Sequence, residues 1–450
     1  MALYSTSVET AIYDPVFSST RRCEFRLPDR DGALLPNLRL GNIGVSTASD
    51  AVPYALGCGV ASLIKRIQLM DGNEELDSLR EANAWLTFKS FFRTNAEASS
   101  IKMVEQGGAG RGFTSSTNME ITVPDPSKKY AVPTTVGPQE IFTGYIDLRV
   151  VFPILNQMTH LNTKIFPNLR VVIEYETSEQ RILTTTGNSP VPTTPILMAD
   201  VITDDALIAS LDKQMMAAPV LFDAIEVDRI GLPVVKADPF AASDGEVAQN
   251  QTLQSKGFLG KYVKRICVQK SSTEASRYVD TTPTPSQVRG FGANGSLAMH
   301  KEQANLRING RNLLGGNGYT TAAQFAMGVA DTWGQVNTAP YMALESVGLD
   351  LAAEAAVNAP AGVPPTNPSI RDSTTAANAK QSAIVGQGAY IGFRVDERCD
   401  NLQLQYQRAG RFQTADKAPG TGGALNLTLY AEVSKRLDVR GPGDWAVSYI

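Results

Sequence analysis

The stretch from Thr143 to Glu176, TGYIDLRVVFPILNQMTHLNTKIFPNLRVVIEYE, limits the architectures open to this chain. In its first part Ile146, Leu148, Val150 and Phe152 alternate with Tyr145, Asp147 and Arg149, the period of a half-buried strand. Its last part alternates Leu169, Val171, Ile173 and Tyr175 with Arg170, Glu174 and Glu176. The connection between them carries Pro153, Asn156, Asn162 and Pro167 and is too long for a tight hairpin. Two strands of antiparallel type joined by a long excursion point to a Greek-key or jelly-roll sandwich, in which sequence neighbours often sit in opposite sheets.

The rest of the chain extends this pattern. Cys23, Phe25 and Leu27 alternate with Arg22, Glu24 and Arg26 in a first strand that stops at Pro28 and Asp31-Gly32. Further strands are expected around Leu38 and Leu40, over Ser62 to Met70 before the Asp71-Gly72-Asn73 turn, and over Met119 to Val123. Between Asp77 and Arg93 the period becomes helical, through Leu79, Ala82, Trp85, Leu86, Phe88 and Phe92, with Asp77 or Ser78 as cap. Residues 177–200, rich in Thr, Ser and Pro, read as a linker or surface loop. A second helix is expected from Asp204 to Met215, capped by Thr203, with Leu207, Ile208, Leu211 and Met215 as its apolar stripe.

A second half then begins at Val220. Strands are expected at Leu221–Val227, Tyr262–Val268, Leu306–Ile308, Tyr390–Val395, Leu402–Tyr406 and Leu425–Val433, with a helix near Thr321 to Trp333. Four segments of this half echo the first in order. Leu63–Ile67 resembles Tyr262–Ile266, each half has a following helix, Gly144–Ile146 resembles Ala389–Ile391, and Asn168–Glu176 resembles Ala424–Glu432. The pattern favours a duplicated sandwich. The expected fold class is mainly β: two tandem sandwiches of Greek-key or jelly-roll type, with a few short helices. The expected divisions are an N-terminal arm at 1–20, a first jelly roll with trailing linker and helix at 21–217, a second with long loops at 218–440, and a tail at 441–450. Arm and tail lack a core pattern yet carry Tyr13, Val16, Phe17, Trp445 and Tyr449, so both are expected to reach neighbouring copies, with loss of 441–450 harming assembly more than folding.

Composition and motifs exclude more than they assign. A net charge of -4 and no basic block argue against a dedicated nucleic-acid binder. Cys23, Cys58, Cys267 and Cys399 form no Cys-x-x-Cys pair and read as buried thiols of a reducing compartment. The first residues lack a secretory pattern, no apolar run is long enough to span a bilayer, and the sequons at Asn250, Asn294 and Asn426 are expected to stay unmodified. His160 and His300 have no partner motif, and each reads as a surface or hydrogen-bonded structural residue.

The run Gly107-Gly108-Ala109-Gly110-Arg111-Gly112 lacks the Lys-Ser or Lys-Thr of a phosphate loop. Gly315-Gly316-Asn317-Gly318 lacks the context of a dinucleotide site. Carboxylate pairs occur at Glu174/Glu176, Asp204/Asp205 and Glu226/Asp228; Glu174 and Glu176 share a strand face and could in principle serve glycoside hydrolysis, and Lys65-Arg66 and Lys264-Arg265 could face an anionic surface. Solvated strand faces and turns account for them more simply. No catalytic, cofactor-binding or metal site is expected, and no cofactor; the chain reads as no enzyme.

Phe25-Arg26-Leu27-Pro28, Leu35-Pro36-Asn37-Leu38-Arg39-Leu40 and Gly59-Val60-Ala61-Ser62-Leu63-Ile64-Lys65-Arg66-Ile67 with its downstream helix resemble the first half of double jelly-roll major capsid proteins. The nearest likeness is to those of small eukaryotic double-stranded DNA viruses, the Polinton-like viruses, adintoviruses and virophages, and Gly144 to Glu176 resembles that family's closing strands. The resemblance implies two tandem eight-stranded jelly-roll sandwiches side by side, a double jelly roll, and a homotrimer, the pseudo-hexagonal capsomer, that tiles an icosahedral shell around double-stranded DNA. It implies neighbouring capsomers, penton and minor capsid proteins as partners, no specific nucleic-acid site, and a location in the virion capsid after synthesis in the host cytoplasm or nucleus, without secretion. It leaves an internal membrane open, and it places the loops around 95–140, 177–200, 235–256 and 335–383 at the tower and subunit contacts. The competing class is a carbohydrate-binding or carbohydrate-cleaving β-sandwich, which requires a cleft lined by aromatics. A minor virion component would need only one jelly roll.

Overall fold

A computed structural model describes residues 8–27, 32–46, 59–90, 142–178, 182, 189–232, 249–272, 303–316, 318–320, 322–334, 390–408 and 425–450. The expected strand at 119–123, the glycine run at 107–112, Cys58, His300, Asn294 and the 335–383 segment lie outside these residues.

In the first half the strands are β1 (Val8–Tyr13), β2 (Phe17–Ser18), β3 (Arg22–Arg26), β4 (Ala33–Leu34), β5 (Arg39–Ser46), β6 (Ile64–Asp71), β7 (Glu74–Arg80), β8 (Phe142–Asp147), β9 (Leu161–Asn162), β10 (Leu169–Tyr175), β11 (Val191–Pro192) and β12 (Ile196–Ile202). Helix α1 (Ala82–Ser90) follows β7, and α2 (Asp205–Ala217) leads to the second half. There the strands are β13 (Val220–Leu232), β14 (Gln249–Ser255), β15 (Lys261–Ser272), β16 (Gln303–Ile308), β17 (Arg311–Asn312), β18 (Tyr390–Cys399), β19 (Leu402–Arg408), β20 (Leu425–Gly441) and β21 (Asp444–Tyr449), with helix α3 (Ala322–Trp333) before β18.

The second half has the strand order of a jelly roll. One sheet runs β13-β20-β15-β18 and the other β14-β19-β16-β17, so that, counted from β13, the orders are first-eighth-third-sixth and second-seventh-fourth-fifth. In the first half, β3-β10-β6 and the β5–β8 pair repeat the first-last-third and second-to-penultimate neighbours. As the long connection at 148–168 requires, β8 lies in the seven-stranded sheet and β10 in the five-stranded one. The echo of Leu63–Ile67 in Tyr262–Ile266 is structural, since β6 and β15 hold the same place, and so do β10 and β20. The echo of Gly144–Ile146 in Ala389–Ile391 is not: β8 pairs β5, whereas β18 pairs β15.

Several local expectations yield to tertiary pairing. Residues 77–80, read as helix, belong to β7, because the turn at Gly72 (φ 58°) folds β7 onto β6. Asp77 is buried in that strand and caps nothing; the helix starts after Glu81, whose φ of 49° breaks the strand. The alternation from Ile146 to Phe152 carries a strand only to Asp147, whose carboxylate accepts from the Arg149 backbone N–H and starts a 3-10 turn. Part of the supposed linker, 196–202, is β12, because it fills the gap between β1 and the β4 and β5 edges. The cap of α2 is Asp204 rather than Thr203, accepting from the N–H groups of Ala206 and Leu207.

Both ends of the chain are also strands. β1 lies along β12, β2 along β3, and β21 along β20, so 441–450 is part of the second half's own sheet. β14, QNQTLQS, and β21 escape sequence reading, the first because its only apolar residue is Leu253. Helix α3 approaches β18 closely at Gly392, where a Cβ would overlap the Gly328 carbonyl and the Thr332 hydroxyl. Gly392→Ala should therefore destabilise the protein by about 1–3 kcal/mol through overpacking; a chemical denaturation curve unchanged from wild type would contradict this contact.

Candidate functional site: the joint between the barrels

The second barrel is buried on both faces of one sheet. Along β20, Leu427, Leu429, Ala431 and Val433 join the second barrel's core with Ile266, Val268, Leu404 and Phe393. Between them Tyr430 points the other way and joins the first barrel's cluster, as do Cys267 from β15 and Ile225 from β13. Successive strand residues face opposite sides, and at Leu429-Tyr430-Ala431 β20 is apolar and buried on both.

What covers this outer face is an aromatic cluster drawn from both halves. Trp85 of α1 lies 5.3 Å from the rings of Phe88, Trp333 and Tyr430, and Trp333 meets Phe88 edge-on at 5.7 Å. Such pairs contribute about 0.5–1.5 kcal/mol each beyond area burial. The Arg265 guanidinium stacks 4.2 Å above Trp333, pairs with both oxygens of Glu432 across the β15–β20 ladder, and donates to the Thr332 carbonyl at 2.8 Å. One cation is thus held by a ring, a carboxylate and a helix end, a geometry suited to arginine and not lysine. Lys89, over Trp85 at 5.7 Å, is held below its usual pKa by burial and by Arg265 nearby.

Polar links cross the same boundary. Tyr430 donates its hydroxyl to the Glu81 carbonyl at 3.3 Å, and Arg229 of β13 pairs with the Glu81 carboxylate at 2.7 Å. At the other end of the joint Trp445 of β21 donates its indole N–H to Asp71 at 2.8 Å and packs against Phe166 at 5.8 Å, while the Gly443 N–H reaches the Ile165 carbonyl. The C-terminal strand is therefore a strap that ties the second barrel to the first within one chain. Removing it breaks contacts within the fold itself, so folding as well as assembly depends on 441–450.

The residues singled out as chemical candidates are absorbed by structure. His160 is buried with Nε2 2.6 Å from Asp212 of α2, to which Asn162 also donates at 2.8 Å; the Thr159 hydroxyl sits 3.0 Å from Nδ1. This arrangement pins the helix joining the two halves. Glu174 faces Arg66, while Glu176 is buried and accepts from the N–H groups of Thr177 and Ser178, so the two do not share a solvated face. Asp228 accepts from the Ser255 hydroxyl at 2.5 Å, and Lys264 pairs with Asp223 at 2.6 Å. Glu226 would be raised by burial, yet Lys435, Lys261 and the Tyr449 hydroxyl hold its carboxyl low. Among the described residues no cluster of His, Cys, Asp or Glu is placed to hold a metal, and no helix is long and apolar enough to cross a membrane. Trp85 and Trp333, which a carbohydrate site would need at a surface, are 2% and 7% exposed. What the joint supplies is a relation between the two barrels held by packing and hydrogen bonds. Sequence reading placed Trp85 and Trp333 on helices but could not bring them together, because their contact spans most of the chain.

Comparison with known proteins gives a consistent picture of the fold. No family model and no curated protein sequence matches the chain. Among solved structures, PBCV-1 VP54, fitted into a reconstruction of the virophage Sputnik, superposes with a TM-score of 0.55 at 11% identity over 98% of this chain and 96% of its own. The mavirus major capsid protein gives 0.54 at 11% identity over 99% and 90%, and a Sputnik virophage structure gives 0.51 at 10% identity over 99% and 88%. The double jelly-roll fold of these capsid proteins is the fold of this chain.

The joint predicts a specific failure. Trp333→Ala should cost about 3–5 kcal/mol and split unfolding, followed by circular dichroism in urea, into separate transitions for the two barrels. A single transition at the wild-type midpoint would show that the aromatic cluster does not hold the barrels together.

Proposed function

We propose that the protein is the major capsid protein of a virus with double-stranded DNA, and that it works by shape and self-association. The observation that carries this reading is the joint itself: two jelly rolls are held together by aromatic packing and a C-terminal strap. Three such blocks place six barrels around an axis, which yields a pseudo-hexagonal homotrimer able to tile an icosahedral wall beside penton and minor capsid proteins. The resemblance of Phe25 to Leu40 and Gly59 to Ile67 to that capsid family, and a likeness in fold that extends over nearly the whole chain, both support it. The protein is then no enzyme, and its place is the virion shell.

Interfaces between copies need apolar surface that the single chain leaves open. The N-terminal segment supplies it: Tyr13 is buried on its own barrel, but Ile12, Val16 and Phe17 are 60%, 63% and 51% exposed within six residues. We infer that this segment meets the neighbouring subunit.

Size-exclusion chromatography with light scattering should return a stable species near three times 48.3 kDa, or closed particles. A monomer that binds glycans would favour the carbohydrate reading instead. Phe17→Asp should leave the thermal transition within about 1 kcal/mol of wild type while lowering particle yield; full yield would remove the N-terminal segment from the interface.

A further inference from the structure

Asp77 sits where a carboxylate is hardest to keep charged. Its side chain is 1% exposed, on β7 where the first barrel meets β13 and the 3-10 turn at Pro153–Asn156. One oxygen accepts from the Ser78 N–H at 2.9 Å and the other from the Ile154 N–H at 3.2 Å. The like charge facing it comes from Glu75 on its own strand, itself engaged by Gln68, the Ser78 hydroxyl and Arg66.

The opposite charge facing it comes from across the joint and is already committed. Lys435 of β20, buried, lies 2.9 Å from Glu226 of β13, whose other oxygen pairs with Lys261 of β15. The Tyr449 ring covers Lys261 at 4.5 Å and Lys435 at 5.0 Å, and its hydroxyl donates to Glu226 at 2.6 Å. Two cations and two carboxylates from five strands, β7, β13, β15, β20 and the β21 strap through Tyr449, thus converge on one buried seam, with Asp77 the only carboxylate lacking a cation in direct contact.

We propose that this cluster makes the joint a pH-sensitive hinge, in which the barrels are held tightly while Asp77 is neutral and less tightly once it is ionised. Burial pushes the Asp77 carboxyl up from 3.8 to about 7, against the pull of Lys435. The closed joint therefore keeps a proton that the open one releases between those two values. Stability present in mildly acidic solution is lost as pH rises, and opening becomes up to about tenfold easier per pH unit until the folded value is passed. Glu226 acts in the opposite sense: its depressed carboxyl contributes above its ordinary value and that contribution fades on stronger acidification. The joint is then tightest in mild acid. This holds for the single chain whether or not it builds a shell.

Hydrogen exchange on the full-length protein tests it, at about pH 5.5 and about pH 8 after correction for intrinsic exchange chemistry. Protection at 76–80, 153–156 and 430–437 should fall by more than about tenfold between the two conditions, while β16 and β19, inside the second barrel, stay level. Asp77→Asn should remove the pH slope whatever its effect on overall stability, since the slope and not the level is read. Lys435→Met, which deletes the cation that lowers Asp77, should move the transition to higher pH. Equal protection at both pH values in wild type, or a slope that survives Asp77→Asn, overturns the proposal; if that variant does not fold, an unmoved transition in Lys435→Met does so.

Discussion

The structure depends on burying the outer face of one sheet. A jelly roll alone needs only its inner faces covered, and the outward residues of β13, β15 and β20 would be polar and wet. Here Tyr430, Cys267 and Ile225 face outward and are buried, because α1, α3 and the first barrel lie upon them. Once that face is apolar, the second barrel cannot remain soluble by itself with its sheet exposed. The two barrels form one body because neither the aromatic cluster nor the strap has another place to go.

The electrostatics follow from the same burial. Charges removed from water must find partners, and partial pairing is costly. Arg265 meets that demand with Glu432, Thr332 and Trp333, and Glu226 meets it with two lysines and a tyrosine. Asp77 meets it with backbone N–H groups alone, and burial pushes its carboxyl up. A joint that is dry enough to be rigid is by the same token able to respond to protons.

Much of this was legible in local pattern. Alternation at Cys23–Leu27 and Leu169–Tyr175, the turn at Gly72, and the stripe of α2 each specify their element through a strong periodic signal, and two echoes between the halves mark strands in equivalent places. Failure occurred where pairing at a distance outweighed local period. Leu79 suits a helix until the Gly72 hairpin claims it for β7, and 196–200 looks like a linker until β1, more than 180 residues earlier, lies beside it, Thr10 against Asp200. The joint was the least readable part. Trp85, Trp333, Tyr430 and Trp445 each have an ordinary local setting, and only the fold shows that they lie along one seam.

The chain ends make the final link between fold and role. A jelly roll has open sheet edges, and an open edge is a template for unwanted pairing. β1 lies at the edge of the seven-stranded sheet, β2 at that of the five-stranded sheet, and β21 continues along β20 where β15 leaves off. Both ends thus lie on the chain's own edges before any other copy arrives. β21 does so while turning Trp445 inward; the N-terminal segment does so while turning Ile12, Val16 and Phe17 outward. An end that only protected an edge would gain nothing from exposed apolar side chains, which carry a solubility cost. Their position on an element already anchored by Ala11 and Tyr13 means that a contact made there is transmitted to a rigid barrel and not to a loose tail.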